Sequence, residues 1–150
     1  MIVLGVDPGQ TTGWALLEHP MRLVGSGQVE AEGRDISSLL SGLGPEDELV
    51  IERFRLRPTK GRALGGDDLV AAQVVGALKD AAESTLVPVV EQEPAIKAVM
   101  PVGLLSALGV LPRGRHARDA CRHAAYRLLH GHGSKDDPYV QARLASYLSA

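Results

Sequence analysis

Met1-Ile2-Val3-Leu4-Gly5-Val6-Asp7-Pro8-Gly9-Gln10-Thr11-Thr12-Gly13-Trp14-Ala15-Leu16-Leu17 opens the chain, and its reading decides the fold. Ile2, Val3, Leu4 and Val6 form a short apolar run rich in β-branched residues, the pattern of a buried strand. Asp7 closes that run. Asp7-Pro8-Gly9-Gln10 then places Pro and Gly at the two central positions of a type II turn, where Pro fixes φ and Gly accepts a positive one. After Thr11, Thr12 and Gly13, the run Trp14 to Leu17 reads as a second strand folding back. A carboxylate at the end of a buried strand costs desolvation energy unless turn amides or a bound cation compensate it. Asp7 is therefore either the cap of its own turn or a ligand.

The chain has 150 residues, 45% of them hydrophobic, which is enough for one domain with a proper core and excludes a disordered tract. No apolar stretch approaches the roughly 20 residues that span a bilayer, and no basic-then-apolar signal opens the chain. The lone Cys121 rules out an intrachain disulfide and any cysteine-based zinc site, so a cytoplasmic location is expected. The formal charge of −2 hides an uneven distribution. Arg53, Arg55, Arg57, Lys60 and Arg62 crowd together, and Arg113, Arg115, Arg118, Arg122 and Arg127 form a second basic cluster. Charge polarised in this way suits a one-sided contact with phosphates, although either cluster alone reads equally well as a solvated loop.

Further along, Arg22 to Glu30 alternates like a strand and completes an antiparallel meander of three. Asp35 is placed to cap a short helix through Ile36, Leu39, Leu40 and Leu43. Leu49-Val50-Ile51-Glu52 is another apolar run ending in an acid. Laid parallel beside the first strand, it carries Glu52 to the same sheet end as Asp7. Residues 55–66 form a basic loop punctuated by Pro and Gly. Asp67 is expected to cap a long helix reaching Ser84, apolar on more than one face, which predicts either deep internal burial or a homodimer interface. Leu86 to Val90 reads as a fifth strand, Ala95 to Met100 as a helical turn carrying Lys97, and residues 101–114 as a linker. A helix follows from Arg115 to His130, and Asp137-Pro138 opens a last one.

Asp7, Glu52 and Asp119 need placing together. His116 and Asp119, three apart near a helix start, project from one face, and the positive helix end favours a carboxylate there and a neutral imidazole. Three carboxylates gathered at one point repel each other unless cations intervene. Such a cluster is accordingly a site for Mg²⁺ or Mn²⁺, which prefer oxygen donors. Two such ions about 4 Å apart activate a water and stabilise the leaving oxygen of a phosphodiester.

At this point the sequence resembles the RuvC-type Holliday junction resolvases of the RNase H-like nuclease superfamily. The resemblance rests on VLGVDPGQTTGWALL, VIERF with Glu52, AAQVVGAL with Gln73 and Gly76, EPAIKAV with Pro94 and Lys97, and RHARDA with His116 and Asp119, all in family order from residue 2 to about residue 130. It implies an α/β, RNase H-like fold: a five-stranded mixed sheet of three antiparallel and two parallel strands, with helices on both faces. It also implies a homodimer that presents two active sites to a four-way DNA junction. Carried over, Asp7, Glu52, His116 and Asp119 hold two metal ions per active site, Lys97 lies near the cleaved strand, and Phe54 with the loop after it reaches the junction centre. Arg53, Arg55, Arg57, Lys60, Arg62, Arg113, Arg115 and Arg118 would clamp DNA backbones.

Three departures from the family pattern stand out. The loop after Glu52 is unusually rich in arginine, the segment after Lys97 reads Pro101-Val102-Gly103-Leu104-Leu105, and the chain is shorter than cellular resolvases, as in a compact phage-like or divergent bacterial version. They leave the catalytic expectation intact and widen the substrate to flaps and forks. Two other readings compete: an actin-like or sugar-kinase nucleotide-binding domain, whose phosphate loop also follows strand–Asp–x–Gly with threonines, and a non-catalytic binder of structured nucleic acid. His19, His123, His130 and His132 receive no role.

Overall fold

A computed structural model describes residues 1–30, 36–54 and 66–150. Three strands come first: β1 (Ile2–Asp7), β2 (Thr11–Glu18) and β3 (Arg22–Glu30). A 3-10 helix (Ile36–Leu40) leads to β4 (Glu48–Glu52), α1 (Gly66–Thr85) and β5 (Val89–Gln92). The chain closes with α2 (Ile96–Val99), α3 (Val102–Leu108), α4 (Arg115–Gly131) and α5 (Pro138–Leu148). The sheet order is β3-β2-β1-β4-β5, antiparallel across β3, β2 and β1 and parallel across β1, β4 and β5. This is the five-stranded mixed sheet that the resemblance implies, with its strands close to the apolar runs.

Alternation along the strands builds two cores. Val3, Ala15, Leu17 and Val50 face α4, whose Ala120, Cys121, Ala124, Ala125 and Leu128 are wholly buried against them. Leu4, Val6, Leu49 and Ile51 face α1 through Val74, Leu78 and Ala82. Each fully buried Leu contributes about 1.5–3 kcal/mol, so these layers fix which sheet face meets which helix. On α1, Leu69 remains half exposed, and Gly76 and Ala77 lie on the surface. Among the described residues no helix is long and apolar enough to cross a membrane.

Several local expectations need correcting. Gly9 has no positive φ, so the turn after Asp7 is not type II. The Thr12 hydroxyl ties it instead, donating to the Gly9 carbonyl at 2.9 Å. The fifth strand begins at Val89, three residues later than expected, because α1 runs on to Thr85 and Leu86 takes a left-handed conformation at its end (φ 58°). Residues 102–108 of the expected linker form α3, which packs on α5. Helix α1 starts at Gly66, ahead of Asp67, and Asp35 lies outside the described residues. Asp137 caps α5 as its sequence predicts, accepting from the Tyr139 and Val140 amides.

Candidate active site

Parallel pairing of β1 with β4 sets Val6 beside Ile51, so the next residues, Asp7 and Glu52, leave the sheet at one end. Helix α4 brings the third acid. Its first turns lie unusually close to the sheet: a Cβ on Gly13, which pairs with Asp7, would fall 2.1 Å from the His116 carbonyl group. A Cβ on Gly5 would fall 2.2 Å from the Ala120 carbonyl oxygen. Two glycines on one sheet face thus form the shelf on which the helix start rests. Gln28 of β3 fixes that start from the side, accepting from the His116 amide at 2.9 Å.

The three carboxylates converge on one nitrogen. Lys97 Nζ, carried by α2, lies 2.6 Å from Glu52 Oε2, 3.2 Å from Asp7 Oδ1 and 3.5 Å from Asp119 Oδ2. Burial works to lower the Lys97 pKa, but the Glu52 hydrogen bond and the charges of Asp7, Glu52 and Asp119 outweigh it and raise the value. Burial likewise works to raise Glu52, and hydrogen bonds and charges from His123 and Lys97 outweigh it, holding the carboxyl below its usual range. His116 Nδ1 stands 3.0 Å from Asp7 Oδ2. All four residues expected to form the site therefore meet, with Lys97 in their midst. Among the described residues no three His, Cys, Asp or Glu side chains stand arranged as a metal cage; the ammonium holds the middle position.

Two residues without an expected role, His123 and Gln92, complete the arrangement together with Arg122, expected only as part of a phosphate-facing basic cluster. Arg122 Nη1 donates to Asp119 Oδ1 at 2.8 Å. The His123 ring, wholly buried, stands 3.0 Å from Glu52 Oε2 through Nε2 and 2.8 Å from Gln92 Oε1 through Nδ1. Counting along α4 carries a signal for both, since His116, Asp119 and His123 share one helix face and Arg122 lies one turn from Asp119. Nothing in the sequence marks Gln92, which reaches the site only because β5 pairs with β4.

No protein-family model matches the sequence, and no curated protein sequence matches it. Solved structures do. Thermus thermophilus RuvC in complex with a Holliday junction substrate superimposes with a TM-score of 0.68 at 20% identity, over 89% of this chain and 96% of that one. A second Thermus thermophilus RuvC structure gives 0.65 at 20% identity, over 89% and 98%. The fold is that of RuvC. At this identity the likeness concerns architecture: the mixed sheet, its order and the helices on both faces.

Within the RuvC-type fold the expected DNA-binding residues separate. Phe54 lines a cleft of about 380 Å³ beside the acids, with Pro8 to Thr11, Asp68, Ala71 and His116. Arg113 and Arg115 are exposed at the start of α4, and Arg118 Nε donates to the Gly114 carbonyl. Arg53 is paired with Glu93 at 2.6 Å. Arg127 lies away from the acids, bound to Glu48 at the other end of β4. Arg55, Arg57, Lys60 and Arg62 fall outside the described residues. Cys121 is an inert core residue, its thiol pushed up to about 12 by burial. The hydroxyls of Thr11 and Thr12 are both spent inside the protein, on Glu30 and Gly9.

Proposed function

We propose that the chain is a divalent-metal-dependent endonuclease acting on branched DNA, a four-way junction first, with flaps and forks as further substrates. The observation that carries this reading is the convergence of Asp7, Glu52 and Asp119, from three separate elements, on a single cationic nitrogen. Carboxylates brought this close need positive charge between them, and an ammonium already stands there. The RuvC-type fold supports the reading, because one of its solved examples holds a Holliday junction substrate.

The donor set fits a hard cation: carboxylate oxygens of Asp7, Glu52 and Asp119, with an imidazole nitrogen of His116 at the rim. These four residues would hold Mg²⁺ or Mn²⁺, two per active site, and the bound ions would supply an activated water and charge stabilisation at the leaving oxygen. The chain's own groups do the positioning. Gln28 and the glycine shelf set the helix start, and Arg122 holds one Asp119 oxygen. Lys97 would set its ammonium beside the phosphate to be cut. Water attacking phosphorus in line with the 3′ oxygen leaves a 3′-hydroxyl and a 5′-phosphate. Phe54, in the cleft beside His116, is placed to stack on an unpaired base.

Arg113, Arg115 and Arg118, with Arg55, Arg57, Lys60 and Arg62 of the basic loop, would grip DNA backbones, with affinity falling steeply as salt rises. The surface residues Leu69, Gly76 and Ala77 on α1 support a homodimer. The whole chain, residues 1–150, acts as one nuclease domain in the cytoplasm. The internal use of Thr11 and Thr12 counts against the kinase-type phosphate loop.

A gel of labelled junction, flap, duplex and RNA–DNA hybrid, with and without Mg²⁺ or Mn²⁺, tests this. Ion-dependent nicking of the branched substrates is expected. Binding without cutting under every ion condition would leave the non-catalytic binder in its place, and ATP-induced thermal stabilisation without cutting would favour the nucleotide-binding reading.

A further inference from the structure

We infer that His123 is a positioning residue for the reaction: held by Gln92, it fixes the Glu52 carboxylate in the orientation in which that carboxylate ligates metal. The inference rests on the nuclease reading above and assigns a part to two residues that reading does not use. His123 is wholly buried, and both of its ring nitrogens are engaged. A buried imidazole in a nuclease of this size needs a reason, since an apolar residue would fill the same space on α4 without polar groups to satisfy. Its neighbours supply one. The ionised Glu52 can only accept, so the contact at 3.0 Å places a proton on Nε2, donated to Oε2.

That leaves Nδ1 bare, 2.8 Å from Gln92 Oε1; two acceptors meet there only with the amide turned so that its NH₂ donates to Nδ1, the arrangement in which Gln92 keeps the ring from rotating about its Cβ–Cγ bond. Gln92 is itself buried on β5, whose pairing with β4 sets Gln92 opposite Glu52. The relay Gln92–His123–Glu52 therefore ties the acid to two elements of the fold, β5 and α4, independently of the longer Lys97 side chain. Lys97 shares the same Oε2 at 2.6 Å, so removing the ammonium still leaves the carboxylate oriented by the imidazole. Partners of this kind, standing behind a ligand, are worth about 10–100-fold in metal affinity.

Mn²⁺ binding, followed by the electron paramagnetic resonance signal of the free ion, tests the assignment without reference to cutting. His123→Leu should weaken Mn²⁺ binding by about 10–100-fold. His123→Gln, whose amide can still donate to Glu52, should recover part of the loss, and Gln92→Leu should weaken binding by a smaller factor. In a Glu52→Gln background His123→Leu should add almost nothing, because the imidazole acts through that carboxylate. Unchanged Mn²⁺ affinity in His123→Leu, or an equal loss with and without Glu52, would overturn the inference. A long-range ¹H–¹⁵N spectrum of the unaltered protein needs no variant to fold: a proton on Nε2 of His123 is expected, and a bare Nε2 would overturn the donor role. If the unaltered protein binds no Mn²⁺, the nuclease reading itself falls and takes this inference with it.

Discussion

The two ends of β4 carry the same kind of side chain in opposite circumstances. At the start of the strand, Glu48 accepts from Arg127 Nε and Nη2, at 2.7 and 2.9 Å, and stands 2.9 Å from His132 Nε2. At its end, Glu52 meets Lys97 and His123. In each case β4 lends the acid and α4 lends one partner, and in each case those partners hold the carboxyl below its usual range against the effect of burial. The difference lies in number. Glu48 is one acid with a guanidinium to itself. Glu52 belongs to a group of three acids that share one ammonium, with Arg122 reaching Asp119 alone. A closed pair has no use for further positive charge, and it serves the fold. An under-neutralised cluster invites cations, and there chemistry can occur.

The largest effect that would break this contrast is loss of one acid from the cluster. Asp7→Asn or Asp119→Asn should abolish cutting while junction binding survives, since the backbone contacts are proposed for arginines instead. Substantial nicking by either variant, measured on labelled junction DNA, would remove that residue from the reaction. Gly13→Ala should come next, because its Cβ would collide with helix backbone rather than with a side chain that can move aside. The helix start must lift, which predicts a melting temperature lower by several degrees and a loss of Mn²⁺ affinity together. A variant that melts lower yet binds Mn²⁺ normally would show that the shelf serves packing alone.

Lys97→Met sharpens the comparison from the other side. Without divalent ions it leaves three carboxylates facing one another, and the cost should be on the order of 1–3 kcal/mol, below that of a fully buried broken pair because 27% of the lysine side chain is exposed. Added Mg²⁺ should restore most of the lost stability in thermal melts, since it supplies the missing charge. The lysine's raised pKa means its own contribution is present in full below the unfolded lysine value near 10.4 and disappears as pH rises through the folded value. At neutral pH it is therefore fully engaged.

Much of this arrangement was legible from the chain. The sheet follows from apolar runs of strand length, and the acids at the ends of two of those runs can be placed together once the two strands are paired in parallel. His116 and Asp119 follow from helix spacing. What resisted reading depends on contacts between elements distant in sequence. Lys97 could be placed near the site by resemblance, but nothing local says that its ammonium stands between three carboxylates. His123 looks like any helix histidine until β5 delivers Gln92 beside it. Arg127 shows the converse error, because a cluster counted along the chain became, on a helix, residues directed to opposite ends of the sheet. The fifth strand slipped by three residues since Val87 and Pro88 look strand-like, while the chain spends them on leaving α1.

The smallest expected effect on cutting and metal affinity concerns the closed end. Glu48→Gln should cost about 1–3 kcal/mol at pH 7, the worth of hydrogen bonds to a charged group, and should leave cutting and Mn²⁺ affinity untouched. Because burial is outweighed by Arg127 and His132, the Glu48 pKa is lowered on folding. Its stabilisation is accordingly present above the unfolded carboxyl value and fades as pH falls through the lower, folded one. Thermal melts of the unaltered protein and the variant should thus differ most near neutrality and draw together as the pH drops from about 4.5. A difference that persists unchanged into acid would mean that Glu48 acts through shape rather than charge. A fall in Mn²⁺ affinity would mean that the two ends of β4 are coupled through α4, and the division between a structural and a chemical acid would have to be redrawn.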